Sequence, residues 1–195
     1  MTATAAGPVR GGLTGHALSA LVMLLAALAV AFGVRSADAG ASSLLANAAC
    51  PGADDPAATQ AVQREAIVCL VNAARTQAAR QALTTAPKLR RAAVLKGRVV
   101  VTCGQVSHTP CGADPTAPLR AAGYRYGWFG ENLWFGTWGQ FSARQVVESW
   151  LQSPAHKANV LRPPFQHLGL ARVRAKGVFG EASTAVWVAT FASPR

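Results

Sequence analysis

"ESWLQSPAHKANVL", residues 148–161, stops one helix and starts another within a few positions, and it places a histidine at the join. Ser153-Pro154 reads as a helix start, with Ser153 as N-cap and Pro154 at the first helical position, where its missing N–H costs nothing. His156 then falls in the first turn of the new helix, beside backbone N–H groups without partners, a setting that disfavours the imidazolium. A neutral imidazole held at a fixed angle suits a metal ligand or a general base, so its role depends on what it faces. The helix that ends here is "ARQVVESWLQ" (143–152), with Ser142 as its N-cap.

Working outward, "QAVQREAIVCLVNAART" (60–76) has Val62, Ala66, Cys69, Leu70 and Ala73 at helical spacing. A second helix is predicted from near Pro87 to before Gly104, and a short one in "PTAPLRAAGY" ending at Gly123. The period then switches. "HLGLARVR" (167–174) and "TAVWVATF" (184–191) read as strands joined through Gly177 and Gly180, and "GYRYGWFGENLWFG" (123–136) supplies one more. Helices flanking a small antiparallel sheet make an α+β layered domain.

Hydrophobic residues make up 51% of the 195 and charged residues 14%, enough apolar material for one packed domain. The net charge is +11, with the densest basic run in "KLRRAAVLKGR" (88–98). There Arg90, Arg91 and Arg98 face outward from a helix whose apolar side is Leu89, Ala92, Ala93 and Val94. Such charge favours an anionic surface. No nucleic-acid-binding signature accompanies it, so nucleic acid is not expected as a partner.

The leader carries Arg10 and His16 before the uncharged run "ALSALVMLLAALAVAFGV" (17–34), and "ADA" (37–39) is a candidate cleavage site. Residues 1–39 are therefore expected to be a signal peptide or, if uncleaved, a membrane anchor, with a linker at 40–59 and the domain at 60–195. A secreted or envelope-associated location makes the cysteines interpretable. Four in an oxidising setting favour two disulfides, and Cys103–Cys111 across "CGQVSHTPC" with Cys50–Cys69 is the expected pairing. A zinc ribbon is excluded, because no Cys-x-x-Cys pair exists.

Four further residues stand out: His108 in "SHTP", Glu131 in "GENL", Glu148 in "VVESW" and His156. Glu148 sits between Val147 and Trp150 on a helix poor in charge, where an unpaired carboxylate is costly to bury. The segments "LVNAART", "SHT", "AGYRYGWFGENLWFG", "VVESWLQSPAHKANVL" and "HLGLARV", in this order, resemble the CAP superfamily and its SCP domain, a bacterial-type exported member. The resemblance covers roughly residues 60–192 and implies a three-layer α-β-α sandwich. It also implies that His108, Glu131, Glu148 and His156 line one cleft. "GRVVVTCGQV" (97–106), β-branched and cysteine-bearing, and Ala192 after the C-terminal phenylalanine depart from the family pattern.

Two neutral imidazoles form a plausible site for zinc or another divalent metal, with Glu131 and Glu148 as cleft carboxylates that fix ring tautomers or act in catalysis. No organic cofactor is expected, and no serine or cysteine nucleophile presents itself: Cys103 and Cys111 are expected to be oxidised, and Ser107 points away from His108 in an extended segment. The expected role is a monomeric ligand-, lipid- or envelope-binding module, with an anionic envelope polymer as one candidate partner. The alternative is a metal-assisted, peptidase-like hydrolase using the same cleft. A third reading is a structural protein whose cleft is inert, since fold alone does not fix function.

Overall fold

The computed structural model describes residues 43–46 and 48–195; the expected signal peptide or anchor lies outside the described residues. The elements are α1 (Gln60–Gln77), β1 (Thr84–Thr85), α2 (Pro87–Cys103), α3 (Ala117–Ala121), β2 (Tyr126–Thr137), α4 (Ala143–Gln152), α5 (Pro154–Leu161), β3 (His167–Val178) and β4 (Glu181–Pro194). The four strands form one sheet in the order β1-β3-β4-β2, antiparallel except where β1 joins β3 in parallel. Among the described residues, no helix is long and apolar enough to cross a membrane.

Period-2 alternation sends each strand's side chains to two different helical layers. Leu168, Leu170, Trp187, Ala189 and Phe191 pack with α1, α4 and α5, in a core that holds Ile67, Leu70, Val147 and Trp150. Ala171, Val186 and Val188 pack with Ala93 and Val100 of α2, and Ala192 packs with Leu89 and with Leu119 of α3. This is the expected α-β-α sandwich. At the α2 contact a Cβ on Gly169 would lie 2.2 Å from the Leu89 carbonyl carbon, so helix and strand meet through a residue with no side chain.

The helix boundaries follow the local chemistry. Ser142 and Gln145 form a reciprocal capping box, and Gly104 ends α2 in the left-handed region at φ 61°. Pro154 begins α5 as expected, but the Ser153 side chain makes no capping bond; only its carbonyl takes part, accepting from Lys157 N at 2.8 Å. The parallel strand β1 was not foreseen. Two residues carry no periodicity, and the chain is steered there by Asn72, whose amide donates to Leu83 O and accepts from Leu83 N.

The stretch read as a linker carries core residues of its own. Leu45, Cys50 and Ala53 are buried, Ala53 O accepts from Arg144 N at 2.9 Å, and Arg144 pairs with Asp54. Cys50–Cys69 pins this stretch to α1, and Cys103–Cys111 closes the loop after α2.

Candidate functional site

Strand β2 forms one edge of the sheet, and the site wraps around it. His108 arrives from the disulfide-closed loop after α2, and His156 from α5 in the opposite layer. Together with Val106, Ser107, Leu133, Trp134 and Phe135 they line a cavity of about 300 Å³. Helix α5 lies close on β2 because position 130 is glycine: a Cβ there would meet Asn159 Oδ1 and Phe165 at 2.8 Å. Asn159 Nδ2 donates to Glu131 O and Asn132 Oδ1, and Asn132 Nδ2 donates to His156 O, which fixes the helix bearing the second histidine. From the neighbouring helix, Trp150 Nε1 donates to Leu133 O at 3.1 Å.

Behind the cavity wall, Glu131 Oε1 lies 2.8 Å from His108 Nδ1 and 3.2 Å from Lys96 Nζ. The Glu131 and Lys96 side chains are 5% and 2% exposed, whereas that of His108 is 54% exposed. A buried carboxylate holding one ring nitrogen fixes the ring's orientation and leaves Nε2 free on the accessible side. Lys96 Nζ also donates to His108 O, so one ammonium both neutralises the carboxylate and positions the loop. His156 is held below the usual histidine range, first by burial and then by the charge of His108.

Lys96 was missed in the sequence, although a signal existed. The buried positions of α2 are Leu89, Ala92, Ala93, Lys96, Gly97 and Val100, a regular helical stripe on which Lys96 falls. Arg90, Arg91 and Arg98 are exposed as expected. Of the four residues of the expected cleft, the two histidines line the cavity and neither glutamate is in its wall, Glu131 being held behind it by His108 and Lys96. Glu148 is half-buried and absent from the cavity wall, it makes no ion pair among the described residues, and its charge acts on Arg144 of its own helix. It follows Val147 on α4, about 100° of helical turn beyond that buried residue.

The model of the cysteine-rich secretory protein family, CAP, matches residues 68–191, a span that contains all of this constellation. The chain belongs to the CAP family. It is 26% identical over 125 residues to the uncharacterized protein YkwD of Bacillus subtilis (strain 168), a match covering 64% of this chain and 47% of that protein. The CAP chain thus spans about half the length of the curated relative it matches. Among solved structures it is similar to an outer surface protein from Borrelia burgdorferi, with TM-score 0.59 and 17% identity over 71% of this chain and 97% of that one. It is also similar to an extracellular SCP-domain protein from Bacillus anthracis str. Ames, with TM-score 0.53 and 17% identity over 69% and 44% of the two chains. At these identities the two structures speak for the CAP fold alone.

Proposed function

We propose that this CAP protein is exported and binds a polar component of the cell envelope, a lipid or an anionic polymer, in the His108–His156 cleft, with a divalent metal such as zinc held between the imidazoles. The observation that carries the reading is the Lys96–Glu131–His108 relay, which orients one imidazole in a cavity lined also by a second imidazole whose burial disfavours the charged form. Export is supported by two disulfides and by the description of similar structures as outer-surface or extracellular proteins. The net charge of +11 favours an anionic surface.

The residues fit a metal through two imidazoles only: among the described residues no three or more histidine, cysteine, aspartate or glutamate side chains are placed so that they could hold a metal ion together. That is fewer protein ligands than catalytic zinc usually has, and it predicts weak binding completed by solvent or by the ligand.

Calorimetric zinc titration of the full-length chain tests the metal. Wild type should bind near neutral pH and lose the ion by about pH 5, because protons compete with metal below a histidine's usual value of about 6.5. The depressed His156 resists protonation to lower pH than an ordinary histidine, so the loss should be completed below that value rather than at it. His108→Ala and His156→Ala should abolish binding. His167→Ala should preserve it, since His167 Nδ1 is engaged by Tyr124 Oη at 2.7 Å outside the cleft. A wild type that binds no zinc, or equal loss in His167→Ala, makes the cleft a plain polar pocket. Cosedimentation with isolated cell-wall polymer, lost in His108→Ala, tests the envelope ligand separately.

A further inference from the structure

Arg172 is a buried cation that the fold leaves without an acceptor. It stands on β3 at 7% exposure, and its Nε is shielded from solvent with no hydrogen-bond partner. The four ion pairs among the described residues use Lys96, His108, Arg120 and Arg144, so neither Arg172 nor Arg174 has a carboxylate. What Arg172 has is aromatic: its guanidinium carbon lies 4.0 Å from the Trp138 ring centroid and 5.1 Å from that of Trp187. Arg174, two positions along the same strand face, places its own at 4.9 Å from Trp138. Two guanidiniums therefore share one indole.

Stacking on an indole offsets part of the cost of desolvating a guanidinium, but it satisfies none of the five in-plane N–H donors. Burial, and then the neighbouring Arg174, act against the charge of Arg172. Trp187 Nε1 is a second buried donor here without a partner. Only Nε of Arg172 is both fully shielded and unpaired, so its two terminal nitrogens reach the surface. The neighbouring fork is also prepositioned: Arg174 Nε donates to Ser183 Oγ at 2.7 Å, and Ser183 O accepts the Trp138 N–H at 2.9 Å.

We propose that Arg172 and Arg174, spread across Trp138, form an anion-binding site that takes a phosphate group. Planar guanidinium forks match oxyanions in a bidentate way. A carboxylate carries one charge on two oxygens in a single plane, whereas a tetrahedral phosphate can turn separate oxygens to each guanidinium and carries more negative charge to set against two cations. Binding would supply the acceptors and the counter-charge that the chain itself does not. The site belongs to β3 and does not rest on the histidine cleft around the β2 edge, so it extends the functional reading without depending on it.

The test is a titration of the full-length chain at constant ionic strength with sodium phosphate, dimethyl phosphate and sodium acetate in separate arms. Calorimetry measures affinity, and the Nε–H resonances of ¹⁵N-labelled arginine report the place. Phosphate should bind saturably and shift the Arg172 and Arg174 resonances, and Arg174→Gln should weaken it about tenfold, the scale expected when one charge-assisted bond of moderate strength is lost. Arg91→Gln, which removes the same charge from exposed surface of α2, should change affinity less than about twofold. Saturation by dimethyl phosphate as well assigns the site to phosphodiesters, and saturation by inorganic phosphate alone assigns it to terminal phosphates. No saturable binding of either, equal loss in Arg91→Gln and Arg174→Gln, or acetate binding as tightly as phosphate overturns the proposal. Arg174 is exposed, so its variant tests the site without disturbing the core.

Discussion

Arg75 and Arg172 carry the same buried side chain into two regions that treat it differently. At the end of α1, Arg75 donates through Nε to Gln81 O, through one terminal nitrogen to Val160 O and Arg162 O, and through the other to Phe165 O. It joins the turn after α1 to the connection between α5 and β3. Arg172, on β3, meets two indoles and no acceptor. Both guanidiniums are pushed below the usual arginine range, with burial as the first cause and a neighbouring arginine as the second. The cost of burial is thus of one kind at both places; the supply of acceptors separates a structural staple from a socket open to a ligand.

The largest effect should come from Arg75→Met. Hydrogen bonds to a charged donor contribute about 1.5–3 kcal/mol each, and four carbonyls lose theirs together, so the variant should lose at least about 4 kcal/mol in urea unfolding. A loss under about 1 kcal/mol would erase the contrast between the two arginines. Lys96→Met comes next. It leaves the buried Glu131 with His108 alone and should cost about 3 kcal/mol, most of it recovered when Glu131→Gln is added; a double-mutant cycle measures that coupling. The smallest effect should be that of Arg172→Met, which keeps the packing and removes an unpartnered donor. Thermal unfolding in phosphate-free buffer should place it within about 1 kcal/mol of wild type. Added phosphate should then stabilise wild type more than the variant.

Much of the architecture was legible because it rests on local chemistry. The break at Ser153-Pro154, the N-cap at Ser142, the end of α2 at Gly104 and the strand alternation of "HLGLARVR" are decided within a few residues of themselves. An even cysteine count, read together with an expected export, made both disulfides readable. The site was legible only in part. His108, Glu131 and His156 could be named from a resemblance, whereas Lys96 sat unread on the apolar stripe of α2.

By itself, the sequence determined where the helices and the three long strands lie, and which of their side chains alternate to which face, but not the two-residue strand β1. Alternation already placed Arg172 and Arg174 on the side of Leu168 and Leu170. Only the tertiary structure decided what those faces meet: that Lys96 finds a carboxylate on β2, that Arg75 finds four carbonyls, and that Arg172 finds indoles instead. The reason is range. Caps, turns and pleats act over a few bonds along the chain, while the stability of a buried charge depends on acceptors remote in sequence, such as Val160, 85 residues from Arg75, that only packing brings near.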